Sequence, residues 1–265
     1  IKKEILSFKP DYVAMTSTSS MINEVDKLAK LCPKNVKIIV GGIHATSMPE
    51  QVLRDYQRVD ICVRGEGEET IVDILKGKEL EEIDGISFRK NDKIIHNKDR
   101  PFLEDLDSLP YPARDLLPMD KYFSFGARRY PIDYVVTGRG CPYRCIFCAD
   151  FLTSGRKLRI RSAEHIVGEI KELVEKYNVK EIDIQDDNFT LYFDRVEKFC
   201  DLMVKKGLNK KVIWKVSNGV RCDRLTLSLL KKMKQAGCYM LSLGIESGNQ
   251  KILDNMKKAE KLEDI

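Results

Sequence analysis

Three cysteines crowd one short stretch, Thr137-Gly138-Arg139-Gly140-Cys141-Pro142-Tyr143-Arg144-Cys145-Ile146-Phe147-Cys148. Their spacing is C-x3-C-x2-C, in a loop rich in glycine. Thiols this close do not easily bridge one another, but as thiolates they can wrap one soft metal centre. Four cysteines fill a [4Fe-4S] cluster, so three leave one iron open to a substrate or cofactor. Zinc is the rival reading. It prefers four ligands, usually from paired C-x2-C or histidine motifs. No second C-x2-C exists, and His44, His96 and His165 are each isolated, so a fourth ligand would be His165 or a distant cysteine.

Other polar clusters fall where an apolar run ends. Asp186-Asp187-Asn188 follows Ile182-Asp183-Ile184-Gln185, and Ser217-Asn218-Gly219-Val220-Arg221 follows Val216. Glu246 sits in Leu243-Gly244-Ile245-Glu246-Ser247-Gly248, where glycines allow a close approach. Nearer the start lie Ser17 and Thr18, Gly41-Gly42, and Arg64-Gly65-Glu66-Gly67-Glu68-Glu69. The bland alternative for each is a solvated turn or a helix cap.

The elements that position these residues are legible in the pattern. Residues 1–77 alternate helix and strand. Ile1, Ile5 and Phe8 share a face of an opening helix, and 12–16, 36–40 and 60–63 are strands. Strands separated by helices build a parallel, doubly wound sheet, which binds ligands beyond its carboxyl edge. Residues 78–131 begin with a hairpin turning at Asn91-Asp92. Five of the nine prolines follow, from Pro101 to Pro131, and mark a semi-rigid linker. From 132 the alternation resumes, with strands at 132–137, 179–185, 212–217 and 239–244. Helices are expected at 163–177, 191–206, 223–235 and 248–258. Ser162 is an N-cap candidate, and Gly207 and Gly237 are helix-ending glycines. The fold class is α/β: a Rossmann-like parallel-sheet domain followed by four βα units that make half a barrel or an open parallel sheet.

Composition excludes little. The 265 residues are 43% hydrophobic and 33% charged, with a net charge of +5. That excess is spread out and carries no nucleic-acid inference. No apolar run reaches the roughly 18 residues of a membrane span. Eight cysteines in a lysine-rich chain read as reduced and cytoplasmic, the five outside the loop as buried small hydrophobes. The chain opens on Ile1, inside a helix, and reads as a fragment cut at both ends.

Cys141, Cys145 and Cys148, with Phe147 before the third, resemble the cluster loop of the radical S-adenosylmethionine (SAM) superfamily. Val40-Gly41-Gly42-Ile43-His44, Val63-Arg64-Gly65-Glu66-Gly67-Glu68 and Pro112-Ala113-Arg114-Asp115-Leu116-Leu117-Pro118 resemble its cobalamin-binding members. The resemblance spans nearly the whole chain. It implies a partial cobalamin-binding domain at 1–77, a hairpin and linker at 78–131, and part of a (β/α)6 barrel at 132–265. It implies a [4Fe-4S] cluster on the three cysteines, whose open iron chelates SAM for reductive cleavage to a 5'-deoxyadenosyl radical. Phe147, Asp186, Asp187, Asn188, Ser217, Asn218 and Glu246 then fall at SAM contacts, Glu246 on the ribose hydroxyls. Ser17, Thr18, Gly41 and Gly42 fall at the cobalamin site, with His44 a loop residue and not a cobalt ligand. Where many members carry Gly-Gly-Glu, this chain has Asp186-Asp187-Asn188.

The implied activity is cobalamin-dependent methylation of an unactivated carbon in a small molecule, with a flavodoxin- or ferredoxin-type electron donor. Two alternatives stay open: a tetrapyrrole-cyclase-like oxidoreductase, and a non-catalytic metal-binding module. With four βα units of six, and only part of the first domain, the chain is expected to hold cobalamin weakly or not at all.

Overall fold

The computed structural model describes residues 1–265. The chain divides into two units, Ile1–Leu103 with Ala149–Gly155, and Glu104–Cys148 with Arg156–Ile265.

The first unit is a five-stranded sheet in the order β1-β2-β3-β4-β5. Strands β1 (Tyr12–Thr16), β2 (Lys37–Gly41) and β3 (Ile61–Val63) run parallel; β4 (Ile86–Lys90) and β5 (Lys93–His96) are antiparallel. Ile38, Ile39 and Val40 are all buried, because apolar side chains cover both faces of the central strand. Helices α1 (Lys2–Phe8), α2 (Ile22–Leu31), α3 (Ile43–Ser47), α4 (Pro49–Asp55) and α5 (Glu68–Leu75) connect the strands. In α2, Ile22, Val25 and Ala29 recur at helical spacing and are buried, and Cys32 continues the stripe. In α1 only Ile5 packs inward; Ile1 and Phe8 lie in solvent, so the expected apolar face is not used.

The hairpin turns through Asn91 and Asp92 at φ 48° and 61°, the left-handed pair a two-residue hairpin needs. It pairs with β3 and so extends the first sheet beyond residue 77. Arg64 fastens it, donating to the carbonyls of Ile86 and Asn97, to Ser87 and to Asp99. The helix α6 (Phe151–Ser154) joins this unit against α3. Gly155, at φ +77°, leaves space that the Phe102 ring occupies.

The second unit holds a parallel sheet in the order β11-β10-β9-β6. Its strands are β6 (Ile132–Val135), β9 (Glu181–Ile184), β10 (Ile213–Val220) and β11 (Cys238–Leu243). A separate ribbon pairs β7 (Gly138–Arg139) with β8 (Arg159–Ile160). Helices α7 (Ala163–Lys176), α8 (Phe193–Lys205), α9 (Leu227–Gln235) and α10 (Gln250–Asn255) match the expected set, trimmed at their ends. Ser162 caps α7 by accepting the His165 N–H at 3.1 Å, and Gly207 and Gly237 take positive φ after helices. Val196, Phe199, Cys200 and Met203 form the buried stripe of α8. Each large apolar side chain so buried contributes about 1.5–3 kcal/mol. Phe189, Phe199 and Trp214 meet edge-on, with centroids 5.3–6.0 Å apart.

Alternation sends Ile182, Ile184, Trp214 and Val216 into that core and puts Glu181, Asp183 and Lys215 on the other face. These charges are also buried. Lys215 Nζ lies 3.5 Å from Glu181 and 3.6 Å from Asp183.

The proline-rich stretch is not a free linker. From Glu104 it is docked on the second unit through short turns. Buried Arg114 pairs with Glu169 at 2.7 Å and with Asp133, and Glu169 also holds Arg161 at 2.6 Å. Fixed φ at proline makes such docking cheap in entropy.

Candidate functional site

The β7–β8 ribbon clips the two ends of the excursion that carries the cysteines, just past β6. Gly140, at φ +93°, turns the chain into it. Cys141 and Cys145 are partly buried, Cys148 is exposed, and all three are free thiols. The Cys148 N–H donates to the Cys145 carbonyl at 3.2 Å, closing a turn between them. Burial pushes the Cys141 thiol up, while the Tyr143 N–H and the Asn188 side chain, both in hydrogen-bonding reach, pull it down. No three Cys, His, Asp or Glu side chains gather tightly enough to hold one ion. A zinc site draws four ligands to about 2.0–2.3 Å of a single centre. The donor set instead fits a cluster, where each thiolate binds its own iron. Ile146 and Phe147 flank the thiols and are exposed.

The three polar residues after β9 step along this loop. Asp186 accepts from the Thr137 N–H and hydroxyl and from the Gly138 N–H; Asp187 accepts from the Gly140 N–H at 3.1 Å; Asn188 reaches Cys141. The Asp186 side chain, an expected SAM contact, is taken up by these bonds. Its carboxylate is fully buried, turned into the protein and engaged by Thr137, Gly138 and Arg195. Burial raises its pKa, against the opposing pull of Arg195. Asn188 is buried with Oδ1 unpaired, and Thr190 Oγ1 is unpaired as well. Those orphaned acceptor atoms lie on the loop that faces the thiols.

Ser217 and Asn218 lie inside β10, not past its end, because a register shift between Val216 and Val220 prolongs the strand. Ser217 donates to Asp183 at 2.7 Å and accepts from Gln185 at 2.9 Å. Asn218 is exposed, and its amide donates to the Asp186 carbonyl at 3.2 Å. Glu246 is exposed at the β11 carboxyl edge, at φ +63°, with Oε1 3.4 Å from Lys258 Nζ. Arg221 is no surface residue: it is buried, bound to Asp223 and to the carbonyls of Lys258 and Ala259.

Sequence reasoning missed Thr137, Tyr143, Arg195 and Lys258. Arg195 had a signal. It sits four residues before Phe199 on the apolar face of α8, where a charge needs a buried partner.

In the first unit the strand ends carry the expected loops. Ser17 is buried, its hydroxyl given to the Thr18 carbonyl and its N–H to the Gly41 carbonyl. Gly42, at φ +87°, is needed by the chain itself, since a Cβ there would lie 2.5 Å from Thr16 Oγ1 and 2.9 Å from the Ser17 carbonyl. Gly41 is an ordinary close contact against Val63. Thr18 is exposed, bonded to Ser20 at 3.0 Å, and His44 is buried and bonded to Ser19. The hydroxyls exposed at this edge are those of Thr18 and Ser20.

A doubly wound domain followed by a parallel βα sheet with three thiols at its carboxyl edge defines a cofactor-binding α/β protein. Residues 135–265 match the Radical SAM superfamily, and residues 1–75 match the B12 binding domain. An uncharacterized methyltransferase of Pyrococcus horikoshii is 38% identical, over 97% of this chain and 56% of that one. An anaerobic magnesium-protoporphyrin IX monomethyl ester cyclase of Cereibacter sphaeroides is 31% identical, over 97% of this chain and 43% of that one. The chain therefore spans about half the length of the curated relatives it matches. The cobalamin-dependent S-adenosylmethionine radical enzyme OxsB shares the fold, with TM-score 0.79 at 22% identity, over 99% of this chain and 39% of that one. The chain belongs to the radical SAM superfamily and carries a B12-binding domain ahead of its radical SAM portion. Membership implies a [4Fe-4S] cluster and SAM for residues 135–265, and cobalamin for residues 1–75.

Proposed function

We propose that the protein is a cobalamin-dependent radical SAM methyltransferase acting on carbon in a small molecule. The observation that carries this reading is the set of three free thiols at the sheet's carboxyl edge, behind a B12-binding domain. When bound, the cluster, SAM and cobalamin supply reductive cleavage of the sulfonium and a transferable methyl group.

The chain's own residues do the holding. Cys141, Cys145 and Cys148 would hold the cluster, each thiolate on its own iron. Asp187, at Gly140, and Asn188, at Cys141, would contact SAM, Asn188 through its unpaired Oδ1. Asn218, exposed at the strand edge, offers an amide to a carboxylate. Glu246 accepts ribose hydroxyls through Oε2, its Oε1 held by Lys258. Phe147 would pack its exposed ring against bound SAM. In the first unit Thr18, with Ser20, meets the cobalamin tail, and Gly41-Gly42 form the tight turn beside it. The working division is a cobalamin domain at 1–77, a hairpin and docked connector at 78–131, and the radical SAM core from 132. Eight free thiols suit a reducing cytoplasm and a flavodoxin- or ferredoxin-type donor.

The test is anaerobic reconstitution of the full-length protein. It should load about four irons and four sulfides per chain, and with a reductant it should turn SAM into methionine and 5'-deoxyadenosine. Cys145→Ala should lose both. Loading of Cys145→Ala to the parent's level sinks the reading. Once a substrate is found, product mass decides the reaction: gain of one methyl supports transfer, and oxidation without it favours the cyclase-like alternative.

A further inference from the structure

We propose that Thr137, Asp186 and Arg195 form a positioning brace that sets the cysteine loop for iron binding. The inference rests on the reading of that loop as a cluster site.

Thr137 is where the chain leaves β6 for the ribbon, and it is fully buried. All three of its polar groups are fixed. Its N–H and hydroxyl donate to Asp186. Its carbonyl accepts from Arg195 Nη1 at 2.9 Å and from the Arg161 N–H at 2.9 Å. Its hydroxyl oxygen also accepts from Arg195 Nη1 at 2.7 Å. Arg195 closes the circle through Nη2, 2.8 Å from the Phe189 carbonyl and 3.5 Å from Asp186 Oδ2. Phe189 belongs to the same loop as Asp186, so the arginine holds both loops at once.

Stability alone does not account for this arrangement. A buried ion pair often contributes no more than apolar groups of the same size. An apolar plug, however, cannot fix an N–H, a carbonyl and a hydroxyl of one residue in three directions. The brace does so at the first residue of the cysteine stretch. Asp187 repeats the device at Gly140, next to Cys141. Three of the four residues ahead of the first thiol, Thr137, Gly138 and Gly140, thus have main-chain groups held by carboxylates. Iron binding to three thiolates rewards such a preset loop, because less conformational entropy is lost when the cluster forms.

The test uses the full-length protein, with Thr137→Ser as the variant that keeps the hydroxyl and Thr137→Val as the one that loses it at constant shape. Asp187→Ala is a second, half-buried probe in case Thr137→Val does not fold. Circular dichroism of the unloaded chains checks folding; iron per chain and the rate of cluster bleaching by a chelator are the readouts. Thr137→Ser should match the parent. Folded Thr137→Val, and Asp187→Ala, should lose the cluster about tenfold faster or more, the range seen when support of metal ligands is removed. Folded variants that load and bleach at the parent's level overturn the brace. A parent that loads no iron overturns the cluster reading and the brace with it.

Discussion

The guanidinium of Arg221 lies over the ring of Tyr143, its central carbon 3.8 Å from the ring centroid. Tyr143 sits between the first two cysteines. Arg224 Nε donates to the Tyr143 hydroxyl at 3.2 Å, and the Ile146 N–H donates to the Met256 carbonyl at 3.0 Å. The far half of the cysteine loop is therefore held by the segments that follow β10 and α10, as its near half is held by the loop after β9.

Replacement of Arg221 tests that second hold. Arg221→Ala removes donors to the Lys258 and Ala259 carbonyls and leaves Asp223 with only Arg224, at 3.8 Å. Leaving buried carbonyls without their donor in this way costs about 1–3 kcal/mol. Arg221→Lys keeps the charge but loses the planar fork and the stack, and should fall between. Denaturant unfolding should rank parent, lysine and alanine in that order, and chelator resistance of the loaded cluster should follow the same order. An alanine variant as stable as the parent would remove the contact from the account.

Gly42 and Gly41 separate two meanings of a Gly-Gly pair. Gly42→Ala meets Thr16 Oγ1 at 2.5 Å and must hold φ +87°, whereas a Cβ at Gly41 comes no closer than 3.8 Å to its neighbours. Strain of this sort costs on the order of 1–3 kcal/mol before the overlap is added. The first substitution should lower the unfolding midpoint clearly and the second very little. Equal effects from the two would mean that the turn geometry is not what Gly42 serves.

Thiol reactivity provides a pH-dependent check. Burial pushes the Cys62, Cys200 and Cys238 thiols up to about 12. At pH 8 their thiolate fraction is about one in ten thousand. Brief alkylation of the cluster-free protein should label loop cysteines, with exposed Cys148 first, and spare those three. Iron loading should then protect the loop. The sign for stability follows: the unfolded chain ionises these thiols above roughly pH 8.5 while the folded chain keeps their protons, so stability falls as pH rises through that point toward 12. A thermal midpoint that rises between pH 8 and pH 10 would contradict this.

Much of the fold was legible in the sequence because its signals are short in range. The stripe Ile166, Ile170, Leu173 and Val174 marks α7, Ser162 marks its start, and Asn91-Asp92 marks the hairpin. The cysteine spacing needs only twelve residues to be read, and it determined the class of chemistry. Polar residues at strand ends were also visible as a set.

Which way each of them points was not visible. Asp186 and Asp187 are neighbours of the same type, yet one is sealed against Thr137 and the other is half-exposed beside Gly140. Thr137 and Asp186 stand 49 residues apart, and Thr137 and Arg195 58 residues apart. Pairing over such distances depends on the order of strands in the sheet, which local periodicity does not encode. Ser17 and Gly42 followed the same rule, as their roles were set by each other across two strand ends. The sequence by itself determined the cysteine spacing, the βα rhythm and the carboxyl edge where polar residues gather. Only the tertiary structure decided which polar groups remain free at that edge, because a buried carboxylate must be satisfied by whatever packs against it.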